Sequence, residues 1–318
     1  MASKAVWFWY AVKYTLRKKV KWWYDHTGYA KCPTLDNETA SKKVIEALHS
    51  GKPFMAGRIG LFELAVMRMY EFGKKNKYEL TMNNLYNCAG FFPNDILLGE
   101  EFLRVQIDAL KQCDILGRSG DLCEDYFVDH YMHKGAVLSE NFDLYHVCSL
   151  KDPWSKALAG KKVLVVTPFA DSVRIQYEKR ELLFGNSGLL PEMDIKVFRS
   201  LLTIGDLRDE RFATWFEALD FMKKEILAED FDVALLGCGA YGFPLAAEIK
   251  KAGKQAIHMG GVLQILFGIM GRRWDGSRWG GPDKMDTYVK PYYNEHWIYP
   301  VEERPGEAGK VEYGPYWK

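Results

Sequence analysis

Residues 231–261 read FDVALLGCGAYGFPLAAEIKKAGKQAIHMGG, and this stretch decides the fold. Residues 231–236 are a short apolar run of the kind buried in a parallel sheet. Gly237-Cys238-Gly239-Ala240-Tyr241-Gly242 then matches G-x-G-x-x-G, a helical pattern covers 244–251, and a second strand covers 255–259. Strand, glycine turn, helix and strand in that order make a βαβ unit. Glycines let the chain turn tightly and approach a ligand, and the N–H groups that open the helix favour phosphate oxygens. Gly237, Gly239, Tyr241 and Gly242 are therefore candidate ligand contacts; the competing reading is a tight turn with no ligand.

A dinucleotide site would place an acid at the end of the next strand, to hold the ribose, but that strand ends His258-Met259-Gly260-Gly261. A P-loop is disfavoured too, because no Gly-Lys-Ser/Thr follows a glycine run. These absences leave a diphosphate ester of another kind, with His258, Gly260, Gly261 and Gln264 on the same edge. A methyltransferase-like cofactor site lacks the same acidic anchor.

Outward from this unit, 162–167 (KVLVVT) is a β-branched strand, 171–184 a helix, 195–201 a strand and 212–228 a helix. The alternation predicts an α/β fold with a doubly wound, Rossmann-like parallel sheet. On the helix at 171–184, Ser172, Gln176 and Arg180 share one face, which could aim polar groups over the sheet edge. In the first half, the pattern gives a helix over 38–49, a strand over 54–56 and a helix over 61–72. An Asn-, Gly- and Pro-rich loop follows over 83–95, then a helix over 96–112, a brief strand over 114–117 and a helix near 123–133. Arg58, Gly60 and Glu63 flank the strand-to-helix turn at 57–63, where active residues collect in such folds. Arg58 suits a phosphate, and Glu63 suits a divalent cation, an acid–base role or simply the helix dipole. His130 and His133, even with Asp129 or His146, specify no metal site by their spacing.

The chain divides into a basic aromatic N-terminal helix (1–32), an N-terminal α/β part (33–150), a C-terminal Rossmann-like part (151–271) and an aromatic tail (272–318) expected to wrap the domain. With 43 basic and 42 acidic residues, the net charge of +1 gives no general attraction to nucleic acid. Six scattered cysteines without C-x-x-C spacing suit free thiols in a reducing compartment. No long apolar run marks a spanning helix or a signal peptide, so the expected location is the cytoplasm. Residues 1–24 mix lysines and arginine with Trp7, Phe8, Trp9, Tyr10, Trp22, Trp23 and Tyr24, a composition suited either to the inner membrane surface or to packing on the protein's own domain.

Two segments resemble bacterial glycosyltransferases of the GT-D fold class, found in surface-polysaccharide and glycoprotein clusters. Arg58-Ile59-Gly60-Leu61-Phe62-Glu63 is similar to that family's Arg-aromatic-Gly-Asp-Gly-Glu turn, and 231–261 to its strand, glycine loop, helix and strand. Gly-Cys-Gly-Ala-Tyr-Gly (237–242) and Gly-Arg-Arg-Trp (271–274) also resemble a polysaccharide-cluster group of proteins. The resemblance implies sugar transfer from a nucleoside-diphosphate donor, a UDP-sugar first among them, to a glycan, glycolipid or glycoprotein. It also implies Mn2+ or Mg2+ on the diphosphate. The family's metal-binding Asp-x-Glu is Leu61-Phe62-Glu63 here, so only Arg58, Gly60 and Glu63 carry over, and Arg58, Arg180 or Arg273 could neutralise the diphosphate instead. The alternative is a non-catalytic sugar-nucleotide or glycan-binding protein.

Overall fold

The computed structural model describes residues 4–19, 32–121, 123–310 and 314–318. Among them eight strands form one parallel sheet: β1 (Thr34–Leu35), β2 (Phe54–Gly57), β3 (Ile115–Gly117), β4 (Val137–Ser139), β5 (Lys162–Thr167), β6 (Asp194–Arg199), β7 (Val233–Leu236) and β8 (Gln255–His258). Their order across the sheet is β1-β4-β3-β2-β8-β7-β5-β6, and β2 pairs with β8 from Phe54 against Gln255 to Ala56 against Ile257. The expected doubly wound α/β sheet is what the chain forms.

Helices cover both faces. They are α1 (Lys4–Lys19), α2 (Asn37–Ser50), α3 (Leu61–Glu71), α4 (Tyr78–Ala89), α5 (Gly99–Leu110), α6 (Glu124–Tyr131), α7 (Ala170–Tyr177), α8 (Arg180–Leu183), α9 (Trp215–Ala228), α10 (Gly242–Lys251) and α11 (Leu263–Leu266). Successive side chains of a strand point to opposite faces, and the core divides accordingly. Leu164, Val166, Ala234 and Leu236 pack with α3, α5, α9 and α10, while Val163, Val165, Val233 and Leu235 pack with α2, α7, α8 and α11. Both faces being covered explains why these strands read as continuous apolar runs.

This layering also makes a cleft. After β2 the chain runs to α3 on one face, and after its neighbour β8 it runs to α11 on the other. The same divergence separates α10, after β7, from α7, after β5. A crevice opens at the carboxyl ends of neighbouring strands whose connections part this way.

Three local expectations change. Residues 83–89, read as part of a loop, belong to α4: Met82, Leu85 and Ala89 keep helical spacing on the buried side, while the asparagines that suggested a loop face outward. Gly90, at φ +85°, ends that helix in a left-handed conformation open to glycine. The strands β1 and β4 escape a periodicity argument because they have two and three residues. The helix read over 171–184 is broken into α7 and α8.

Helix α1 docks by one side. Tyr10 packs edge-on against Tyr126 at 5.3 Å and donates to Asp129 at 3.2 Å, and the Lys74 ammonium lies 3.4 Å from the Trp7 ring centroid. Phe8 and Trp9 remain exposed on the other side. Trp22, Trp23 and Tyr24 lie outside the described residues. No helix of the described residues is long and apolar enough to cross a membrane, and Cys113, Cys123, Cys148 and Cys238 are free thiols.

Candidate active site

The cleft at the carboxyl edge of the sheet has a volume of about 440 Å³. It brings together Arg58, Gly60 and Glu63 from the β2–α3 turn, Gly237, Gly239 and Tyr241 from the glycine loop, and His258, Gly260, Gly261 and Gln264 from the end of β8 and the approach to α11. Ten of the residues singled out by sequence thus share one wall-to-wall space, although the first group lies far from the others in the chain.

Glu63 is the chemically most loaded member. It sits in the first turn of α3, and its carboxylate folds back over Gly60, where an added Cβ would lie 1.9 Å from Oε2. Glycine at that position leaves room for the carboxylate. The side chain is 9% exposed, and burial raises its pKa above the ordinary carboxylate value, while its own backbone N–H and the Arg58 charge pull the other way. A buried carboxyl held beside a cation can take or give a proton closer to neutrality than a surface glutamate. The Arg58 guanidinium stacks over the Phe142 ring at 4.7 Å.

His258 joins the two halves of the site. Its Nδ1–H donates to the Arg58 carbonyl at 3.0 Å, so the opposite nitrogen, Nε2, is the proton-free one. Burial, reinforced by the Arg58 charge, pushes its pKa down to about 3, and the ring is neutral at physiological pH. An added Cβ on Gly242 would stand 2.4 Å from His258 Cδ2. Gly242 accordingly faces protein and does not line the cleft.

The other loop glycines are close-packed as well. A Cβ on Gly237 would meet the Gly260 carbonyl at 2.7 Å, and one on Gly239, whose φ is +59°, would meet the Ala89 carbonyl at 2.9 Å. Tyr241 is buried, stacks on Trp215 at 5.2 Å and meets the Thr203 hydroxyl at 3.1 Å. The loop borders the cleft with its backbone while its side-chain space is used by neighbouring protein.

Ser172, Gln176 and Arg180 do not reach the cleft. Ser172 Oγ donates to Glu302 at 2.5 Å and accepts from the Val301 N–H at 2.9 Å; the Gln176 amide donates to the carbonyls of Gly268 and His296. Arg180 pairs with Glu181 and Glu192 at the surface. The face of α7 that points away from solvent is covered by the C-terminal segment, which takes up the Ser172 hydroxyl and the Gln176 NH2 group. Likewise His130, His133 and Asp129 do not converge with His146. His130 bonds the Tyr126 carbonyl, His133 the Asp114 carboxylate, and Asp129 accepts from Tyr10.

The tail supplies a wall of the site that periodicity could not reveal. Arg273, Trp274, Asp286, Tyr288, Tyr316 and Trp317 all line the cleft. Arg273 lies over the Tyr316 ring at 5.3 Å, and Tyr316 rests on Gly261, where a Cβ would approach its ring to 2.3 Å. The Gly-Arg-Arg-Trp run and the density of aromatic residues were the available signals. Asp143 and His146, after β4, complete the far end.

A divalent cation needs several oxygen or nitrogen ligands, and the residues here do not fit one. Among the described residues no three His, Cys, Asp or Glu side chains are grouped so as to hold a metal ion, Leu61 stands 53% exposed where the resembling pattern has an aspartate, and Glu63 is turned onto Gly60.

No family model and no curated protein matches the chain. It is similar to two solved structures of domain of unknown function 1792, one described as having a distinct glycosyltransferase fold. Both are 14% identical with a TM-score of 0.37; one comparison covers 89% of this chain and 95% of that one, the other 91% and 97%.

Proposed function

We propose that the protein is a glycosyltransferase that moves a sugar from a nucleoside-diphosphate donor, a UDP-sugar first among candidates, to a surface glycan, glycolipid or glycoprotein. The observation that carries this reading is the β2–α3 turn, which presents Arg58 and the buried Glu63 to a cleft bordered by the glycine loop. In this reading the acceptor oxygen attacks the anomeric carbon, the bond from that carbon to the diphosphate oxygen breaks, and Glu63 takes the acceptor's proton. Arg58 and Arg273 neutralise the departing diphosphate, a role suited to guanidinium groups in a partly desolvated cleft. No step runs through a metal. The exposed Phe8 and Trp9 on the lysine-bearing α1 support a peripheral association with the inner membrane surface, where a lipid-linked acceptor would be met.

Calorimetric titration with UDP, GDP, CMP and dTDP and their sugar conjugates tests the reading. One nucleotide class should bind, and Arg58→Ala should weaken it by about tenfold or more, the usual loss for a charged hydrogen bond. Binding of none, or equal binding by the variant, would overturn it. Donor binding with neither hydrolysis nor transfer would favour the non-catalytic reading, for which the lone carboxylate at Glu63 speaks.

A further inference from the structure

The far end of the cleft contains polar groups that the transfer chemistry above does not use. Asp143 and His146 lie on the segment after β4, and Asp286 and Tyr288 on the C-terminal tail, all four lining the same space. His146 is 8% exposed, and both of its ring nitrogens are buried without a hydrogen-bond partner. Buried polar atoms are nearly always satisfied, so such a ring marks a place completed by something else. Its Nε2 stands 3.7 Å from Asp286 Oδ1, beyond hydrogen-bond distance yet within reach of a small rotation. Asp286 is held from behind, its Oδ1 accepting the N–H groups of Tyr288 and Val289 at 2.9 and 3.1 Å. The Tyr288 ring centroid is 5.4 Å from that of His146, and Tyr288 and Phe142 are 40% and 37% exposed.

Two carboxylates beside two exposed aromatic rings form the chemistry that binds a pyranose: carboxylates accept from vicinal hydroxyls, and rings cover the apolar C–H face. Phe142 carries Arg58 on one side, so this end adjoins the place assigned to the diphosphate. We infer that Asp143, Asp286, Tyr288 and Phe142 form a hexopyranose subsite, with His146 as the positioning residue that orients Asp286. The inference rests on the transferase reading for its setting, since the sugar would belong either to the donor or to the acceptor.

The test is long-range 1H–15N NMR of the His146 imidazole in the full-length protein. The probes are UDP, UDP-glucose, UDP-galactose, UDP-N-acetylglucosamine, GDP-mannose, and the methyl glycosides of the same hexoses with and without UDP. A sugar-bearing probe should shift the His146 signals where UDP alone does not. Asp286→Asn and the surface variant Tyr288→Ala should each weaken that probe by about tenfold while leaving UDP affinity within about twofold. A shift from sugar nucleotides assigns the subsite to the donor sugar, and one from methyl glycosides assigns it to the acceptor. If none of UDP, GDP, CMP, dTDP and their sugar conjugates binds while methyl glycosides still move His146, the transferase reading falls and the subsite stands. If no sugar probe moves His146, or both variants bind every sugar as the wild type does, the subsite is overturned.

Discussion

The β2–α3 turn and the glycine loop occupy equivalent places, each carrying the chain from a parallel strand into a helix at the cleft, yet they use glycine differently. At Gly60 the space where a Cβ would stand holds the Glu63 carboxylate, a flexible and chemically active group. At Gly237, Gly239 and Gly242 that space holds the Gly260 carbonyl, the Ala89 carbonyl and the His258 ring, all fixed parts of the fold. A glycine pattern reports that something approaches the backbone closely; what approaches is decided by packing. In this protein the fold itself fills the Cβ space of the more familiar motif, while the less conspicuous turn sets the Glu63 carboxylate there.

The largest expected effect tests that division at Glu63. Glu63→Gln keeps the shape of the side chain and removes its charge, and should lower kcat/KM for transfer by about 10²–10⁴-fold if the carboxylate is the acid–base group. The same variant should melt at a higher temperature near neutral pH. Burial raises the folded-state pKa of Glu63, so its favourable contribution is present below the ordinary carboxylate range and is lost as pH rises. The acid limb of the wild-type pH–rate profile should accordingly lie above that ordinary range. Full activity in the variant would move the chemistry away from this turn.

A pair of alanine substitutions sharpens the contrast. Gly60→Ala meets only the end of a side chain that can swing aside, so stability should hold while displacement of the carboxylate costs about tenfold or more in activity. Gly242→Ala presses on a buried ring, and should cost about 1–3 kcal/mol of stability while leaving nucleotide affinity nearly unchanged. Thermal melts and titrations of the two proteins would show the pattern. The reverse pattern, with Gly242→Ala intact in stability but deficient in binding, would return the glycine loop to the role of phosphate cradle.

The sheet was legible because its central strands are buried on both faces: the runs at β5 and β7 leave little choice but a parallel α/β core. The cleft residues on strand ends were legible for the same reason, since β2, β7 and β8 must deliver Glu63, the glycine loop and His258 to one edge. Ser172, Gln176 and Arg180 misled because helical spacing on an unbroken helix places them on one face, whereas the helix ends at Tyr177, residues 268–302 cover Ser172 and Gln176, and Arg180 turns to Glu181 and Glu192 at the surface. Asp143, His146 and Asp286 escaped because the short 3-10 turns after β4 and the aperiodic tail meet only in three dimensions. Long-range meetings of irregular segments leave no local period to read.

His258 gives the smallest expected effect, and it joins the two turns directly: its Nδ1–H bonds the Arg58 carbonyl, and its ring packs on Gly242. With a folded pKa of about 3 against an ordinary value of 6.5, it stays neutral in the folded chain while the unfolded chain takes up a proton. Its contribution is therefore present above pH 6.5 and falls by about 1.4 kcal/mol per pH unit as the medium is acidified toward the folded pKa. Denaturant unfolding of the wild type and of His258→Asn between about pH 7 and 5 isolates this residue from the other histidines. The variant should begin less stable, because it loses packing against Gly242, but its stability should decline less steeply. Equal slopes would mean that His258 is already protonated or hydrated in the folded protein, in which case the two turns are joined through solvent and Gly242 loses its assigned purpose.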